Sequence, residues 1–129
     1  MIVIDASAIV NIVSDQPLPT TLIDATMGEE FHAPELLDYE VTAALRGRVM
    51  GTKLLEPDAI YALDLFRSIS IERHAAAPYL VRILELRENF TSYDAAYVTL
   101  AIGLNASLVT SDVKMLEAQK LGVEVRLFA

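Results

Sequence analysis

Cysteine is absent from the 129-residue chain, and so is tryptophan. Without thiols there is no disulfide framework, no cysteine-based zinc site and no thiolate nucleophile. Glycine and proline are scarce, five of each, which speaks against disorder, collagen-like repeats and low-complexity linkers. No apolar run approaches the roughly 20 residues that a membrane span needs. Asp5 follows only Met1, Ile2, Val3 and Ile4, with no basic segment before it, so neither export nor membrane insertion is signalled and the cytoplasm is the expected compartment. Positive charge is short as well. Ten Lys and Arg stand against eighteen Asp and Glu, a net charge of −8, which argues against holding nucleic acid through a broad positive field. Chemistry on nucleic acid stays open if metal ions and a local basic patch supply the attraction.

What the chain has in quantity is apolar side chains: 53% of residues are hydrophobic and 22% charged. One domain over residues 1–129 is expected, large enough to bury roughly two-thirds of the surface its unfolded form exposes. Ile2-Val3-Ile4, stopped by Asp5 and followed by an unbroken Ala6 to Val13, predicts strand, sharp turn and helix. Further helices are expected over Thr21–Met27, Glu35–Met50 behind Pro34, Pro57–Phe66, Pro78–Glu88, Thr91–Ile102 closed by Gly103, and Val113–Leu121 closed by Gly122. Extended segments fall at Phe31–Ala33, Ser70–Glu72, Ser107–Thr110 and Val123–Phe128. Strands alternating with helices imply a three-layer α/β domain with a mostly parallel sheet.

In such sheets ligands bind beyond the carboxyl ends of the strands, so acids there carry information. Asp5 ends the first strand, Asp112 follows Thr110 within two residues, and Asp94 opens the apolar helix between them. Glu40 is the fourth. On a wheel of about 100° per residue with Leu37 at zero, it lies between Ala44 and Leu36 on the apolar arc shared by Val41 and Leu45. Burying an unpaired carboxylate costs several kcal/mol, so it needs a cation, a donor or a wet cavity. Each acid has a structural reading too. Asp5 can brace a turn, Asp112 can cap Val113–Leu121, and Asp94 can sit in a capping box with Thr91. Four acids gathered at one end of a sheet repel one another unless a cation joins them, and hard oxygen donors without cysteine suit Mg²⁺ or Mn²⁺.

Asp5 with Ser7, Glu40 in the helix after Pro34, Thr91-x-x-Asp94-Ala95-Ala96-Tyr97 and Leu108-Val109-Thr110-Ser111-Asp112 together resemble the PIN-domain ribonucleases, and within them the VapC-type toxins of toxin–antitoxin pairs. The resemblance covers essentially the whole chain in order and spacing. It implies a five-stranded sheet ordered 3-2-1-4-5 and an acidic pocket at the positions matching Asp5, Glu40, Asp94 and Asp112, lined by Ser7 and Thr110. It also implies Mg²⁺- or Mn²⁺-dependent hydrolysis of RNA, a homodimer, and a small antitoxin whose groove is built by helices near Tyr61, Leu65 and Phe66. The pocket's negative charge suits an antitoxin segment carrying a basic side chain. Glu117 is a further acid one helical turn beyond Asp112.

Arg46, Arg48 and Lys53 read equally as phosphate contacts near the pocket or as cations at a helix C-terminus. Tyr61, Leu65 and Phe66 fall at core spacing on one helix, and His32 and His74 read as ordinary surface or edge residues. Other α/β functions fit poorly. A receiver domain needs an Asp ending strand three and a Lys ending strand five, where this chain has Glu72-Arg73 and Arg126-Leu127. A haloacid-dehalogenase-like phosphatase needs Asp-x-Asp where this chain has Asp5-Ala6-Ser7, and no glycine-rich nucleotide motif occurs. A stand-alone RNA-processing nuclease and a non-catalytic PIN-like binding module remain as alternatives.

Overall fold

A computed structural model describes all 129 residues. Five parallel strands, β1 (Ile2–Ile4), β2 (Phe31–Pro34), β3 (Ile71–His74), β4 (Ser107–Thr110) and β5 (Val125–Leu127), form one sheet in the order β3-β2-β1-β4-β5. Six α-helices cover its two faces: α1 (Ala6–Ser14), α2 (Thr20–Thr26), α3 (Leu36–Met50), α4 (Glu56–Ser68), α5 (Leu80–Glu85) and α6 (Ser92–Leu104). The expected order 3-2-1-4-5 is the observed one, and every pairing is parallel.

Alternation along the central strands divides the core. Ile2 and Ile4 of β1 and Val109 of β4 pack with α1, α3 and α4, while Val3 and Leu108 face α6 on the other side. All five are fully buried, as a central parallel strand covered on both faces requires. Each reversal from strand to helix brings the carboxyl end of a strand to the same edge, so β1 and β4, adjacent at the middle, deliver Asp5 and Thr110 side by side.

Several boundaries depart from expectation for identifiable reasons. Pro34 is the last residue of β2 rather than the head of a helix. It pairs in register with His74, and the next amide, Glu35 N–H, donates to the His74 carbonyl, so the ladder continues without a proline N–H. Gly103 lies inside α6, which ends at Asn105 in the left-handed region (φ 51°). The glycine answers a lateral need: a Cβ there would stand 2.8 Å from the Tyr79 ring. The stretch expected as one helix from Pro78 to Glu88 is a 3-10 turn (Ala77–Tyr79) followed by the short α5, and the chain then bends so that Leu86 and Phe90 both enter the core. Val113–Leu121 is 3-10 rather than α, closed at Gly122 (φ 84°) as expected. On α4 Ala59, Ala62 and Phe66 are buried. Tyr61 and Leu65 are exposed, because just one stripe of that helix meets α1 and α3. His32, expected at the surface or an edge, is 4% exposed on β2, next to the edge strand β3.

Candidate active site

Asp5 is the N-cap of α1, with extended backbone and a side chain that accepts from the Ala8 amide at 3.2 Å. The turn-bracing role is therefore real, yet it occupies only part of the carboxylate. Ser7 Oγ donates to Oδ1 at 2.6 Å and Thr110 Oγ1 donates to Oδ2 at 2.5 Å. Both hydroxyls are themselves fixed by the loop leaving β4, since Ser111 N–H donates to Ser7 Oγ and Asp112 N–H to Thr110 Oγ1. Desolvation pushes the Asp5 carboxyl up from its ordinary value despite these hydrogen bonds.

Glu40 is half-buried on α3, as the wheel predicted, beside the buried stripe Leu37, Val41 and Leu45. Its Oε1 accepts from the Tyr97 hydroxyl at 2.6 Å, a contact between α3 and α6. Burial raises its carboxyl above the usual range, the Tyr97 hydrogen bond opposes that shift, and the charges of Asp5 and Asp94 add to it. The Tyr97 phenol is raised in turn, first by burial and then by the negative charge around it, so it stays a donor. Asp94 stands in the first turn of α6, where the helix dipole favours an anion. The N-cap belongs to Thr91, which accepts from the Asp94 amide at 3.1 Å, and that leaves the Asp94 carboxylate free.

Asp5, Glu40 and Asp94 thus feel one another electrostatically, and none forms an ion pair. Their oxygens do not all lie within 4.8 Å of one another, so the trio is looser than a closed ligand set. A set of hard oxygen donors with no Lys or Arg paired to it fits a divalent ion that keeps several of its waters. Asp112 contributes differently. Its Oδ1 caps the following 3-10 segment by accepting from the Lys114 amide at 2.9 Å, while its own amide steadies Thr110. Glu117 pairs with Lys120 at 3.0 Å on the surface.

Of the three basic residues, Arg48 is committed to a bidentate pair with Asp15 at 2.7 and 3.0 Å and a bond to Ser14. It lines a cleft of about 400 Å³ with Ser7, Asn11, Ala44 and Ser111. Arg46 and Lys53 are exposed. Sequence reasoning overlooked the Tyr97 hydroxyl. The Tyr-Asp-Ala-Ala-Tyr block contains it, but its spacing from Asp94 marks only a shared helix face.

The fold and this pocket define a class. The chain belongs to the PIN domain family, which it matches over residues 2–121. Within that family its relatives are VapC ribonucleases. It is 36% identical over 115 residues to VapC ribonuclease Mb0985 of Mycobacterium bovis, covering 89% of this chain and 88% of that one. It is 33% identical over 129 residues to ribonuclease VapC12 of Mycobacterium tuberculosis, covering all of both chains, and 35% identical over 127 residues to ribonuclease VapC1 of the same species, covering 97% and 96%. Among solved structures, PAE2754 from Pyrobaculum aerophilum superposes with a TM-score of 0.69 at 21% identity, over 96% of this chain and 82% of that one, and so shares the fold.

Proposed function

We propose that the whole chain is one PIN domain acting as an Mg²⁺- or Mn²⁺-dependent RNA endonuclease, the toxin of a toxin–antitoxin pair working in the cytoplasm. The observation that carries this reading is the uncompensated trio Asp5, Glu40 and Asp94. The fold tolerates their repulsion and desolvation at the ligand-binding edge of a parallel sheet. Asp5 and Asp94 would hold the ion, Glu40 would complete or orient the set, and Asp112 would act on it through Thr110. When bound, a divalent ion supplies Lewis acidity toward a phosphate oxygen and toward water.

The protein's own part is positioning. Ser7 and Thr110 lock both oxygens of Asp5, and Tyr97 fixes the rotamer of Glu40. Without a cation the three carboxylates would repel an RNA phosphate, so substrate binding and metal binding are coupled through charge. The same charge invites an antitoxin segment bearing an arginine, whose planar fork can engage two carboxylates.

Exposed Tyr39, Leu80, Leu84 and Tyr93 line an apolar cleft of about 520 Å³ between α3, α5 and α6, which supports pairing into a homodimer. No helix is long and apolar enough to cross a membrane.

The test is cleavage of a mixed RNA substrate in Mn²⁺. Asp5→Asn and Asp94→Asn should each keep the fold and lose cleavage by more than about a hundredfold, since even an outer-shell change around a metal typically costs 10–100-fold. Cleavage retained in both variants, or undiminished by EDTA, overturns the reading.

A further inference from the structure

The closest-knit set of potential metal ligands in the chain lies away from the acidic pocket, at the β2–β3 edge of the sheet. His32 on β2 and Glu72 and His74 on β3 offer ligand atoms that all fall within 4.8 Å of one another. Register explains the convergence. His32 pairs with Glu72 and Pro34 with His74, and residues two apart on a strand share a face. Arg73, between the two, turns to the opposite face and binds Asp38 through bonds of 2.7 to 3.0 Å, so it lends the cluster no positive charge.

Hydrogen bonding makes the cluster more than an accident of spacing. Glu30 Oε1 lies 2.6 Å from His32 Nε2, and because a carboxylate only accepts, Nε2–H is the donor, which in the neutral ring puts the lone pair on Nδ1. That nitrogen is 2.9 Å from His74 Nε2 and 3.5 Å from Glu72 Oε2. Two electron-rich atoms, a lone-pair nitrogen and a carboxylate oxygen, therefore face the same point beside a second imidazole nitrogen. A carboxylate that orients a histidine from behind is the usual outer partner of a metal-bound imidazole.

We infer that His32 Nδ1, His74 Nε2 and Glu72 form a zinc-type metal site, with Glu30 as the outer carboxylate. Two imidazoles and one carboxylate suit Zn²⁺ and neighbouring late transition metals, whereas Mg²⁺ prefers oxygen alone. Bond lengths of about 2.0–2.1 Å in a tetrahedron place ligand atoms roughly 3.3 Å apart, so the two nitrogens need only part slightly. His74 binds with its proton on Nδ1, a tautomer change that releases no proton. The ion ties the edge strand to its neighbour. Three protein ligands leave a fourth position for water.

The test uses zinc alone, titrated into full-length protein carrying Asp5→Asn and Asp94→Asn so that the acidic pocket is silenced. Binding is read by competition with a chromophoric chelator and by thermal unfolding. The expected result is a single zinc ion per chain, a raised Tm, and no comparable response to Mg²⁺. Glu30→Gln should weaken zinc binding 10–100-fold. His74→Gln should weaken it by more than that, and so should Glu72→Gln, which alters an exposed side chain and leaves folding safe. Absence of zinc binding overturns the inference, as does zinc affinity unchanged by both Glu72→Gln and His74→Gln. Either result would leave the case for the acidic pocket intact, because that site is absent from the tested protein.

Discussion

Acidic residues gather at both ends of the sheet, and the two groups behave in opposite ways. At the amino ends of the strands, Glu29 meets the N-terminal ammonium at 2.5 Å and Arg126 at 3.0 Å, and Glu124 meets Arg126 at 2.7 Å. Hydrogen bonds from these cations hold the Glu29 and Glu124 carboxyls below their ordinary values. At the carboxyl ends, Asp5 and Glu40 have no cation, and burial holds both above theirs. The residue types are the same. The difference lies in whether the fold supplies the counter-charge or leaves it to a ligand, and only the second arrangement can respond to one.

The largest test of that contrast is metal binding. Mn²⁺ at a hundredfold excess over its Kd should stabilise the protein against urea by about 2.7 kcal/mol. Asp94→Asn should leave metal-free stability unchanged or raised and should respond to Mn²⁺ much less. If Asp94 were only a helix-capping group, its loss would cost about 1 kcal/mol and the metal response would match that of the parent.

Next in size is Tyr97→Phe. It removes the hydroxyl that holds Glu40 while keeping the ring in the core, and cleavage should fall about 10–100-fold with little change in Tm. A fall in Tm with cleavage preserved would make Tyr97 a packing residue instead.

At the compensated end, Arg126→Met should cost about 1 kcal/mol of stability, the upper range for partly exposed pairs, and leave cleavage intact. Urea midpoints and RNA turnover measured side by side separate these effects.

The smallest effect is the pH dependence of the metal-free protein. Because the folded Asp5 and Glu40 carboxyls are raised, their contribution is fully present below the unfolded pKa and is lost as pH rises through the folded one. Glu29 and Glu124 are lowered, so theirs is present above the unfolded pKa and lost as pH falls through the folded one. Asp5→Asn should flatten the first slope and leave the second unchanged in unfolding experiments across the acidic range.

How much of this could be read from residues alone depended on the range of each signal. Asp5 was legible because a strand, an acid and a helix follow one another within a few positions. Glu40 was legible because one wheel exposes a carboxylate on an apolar arc. The sheet order came with the family resemblance rather than from periodicity. The Tyr97 to Glu40 bond spans 57 positions, and a tyrosine that is 3% exposed on an apolar helix reads as core until its hydroxyl is seen. The His32 cluster depends on the register between β2 and β3, which local patterns do not encode. Gly103 looked like a helix terminator because glycine often is one, whereas here it makes room for the Tyr79 ring.

The Glu40 to Tyr97 bond also has a mechanical meaning. Helix α3 buries Leu37, Val41 and Leu45 with the core on one face of the sheet, and α6 buries Tyr97 and Val98 with the core on the other. The bond therefore joins, at the rim of the sheet, two helices whose main buried stripes belong to different cores. Its 2.6 Å length ties the direction of the Glu40 carboxylate to the way α3 and α6 are seated on the two faces.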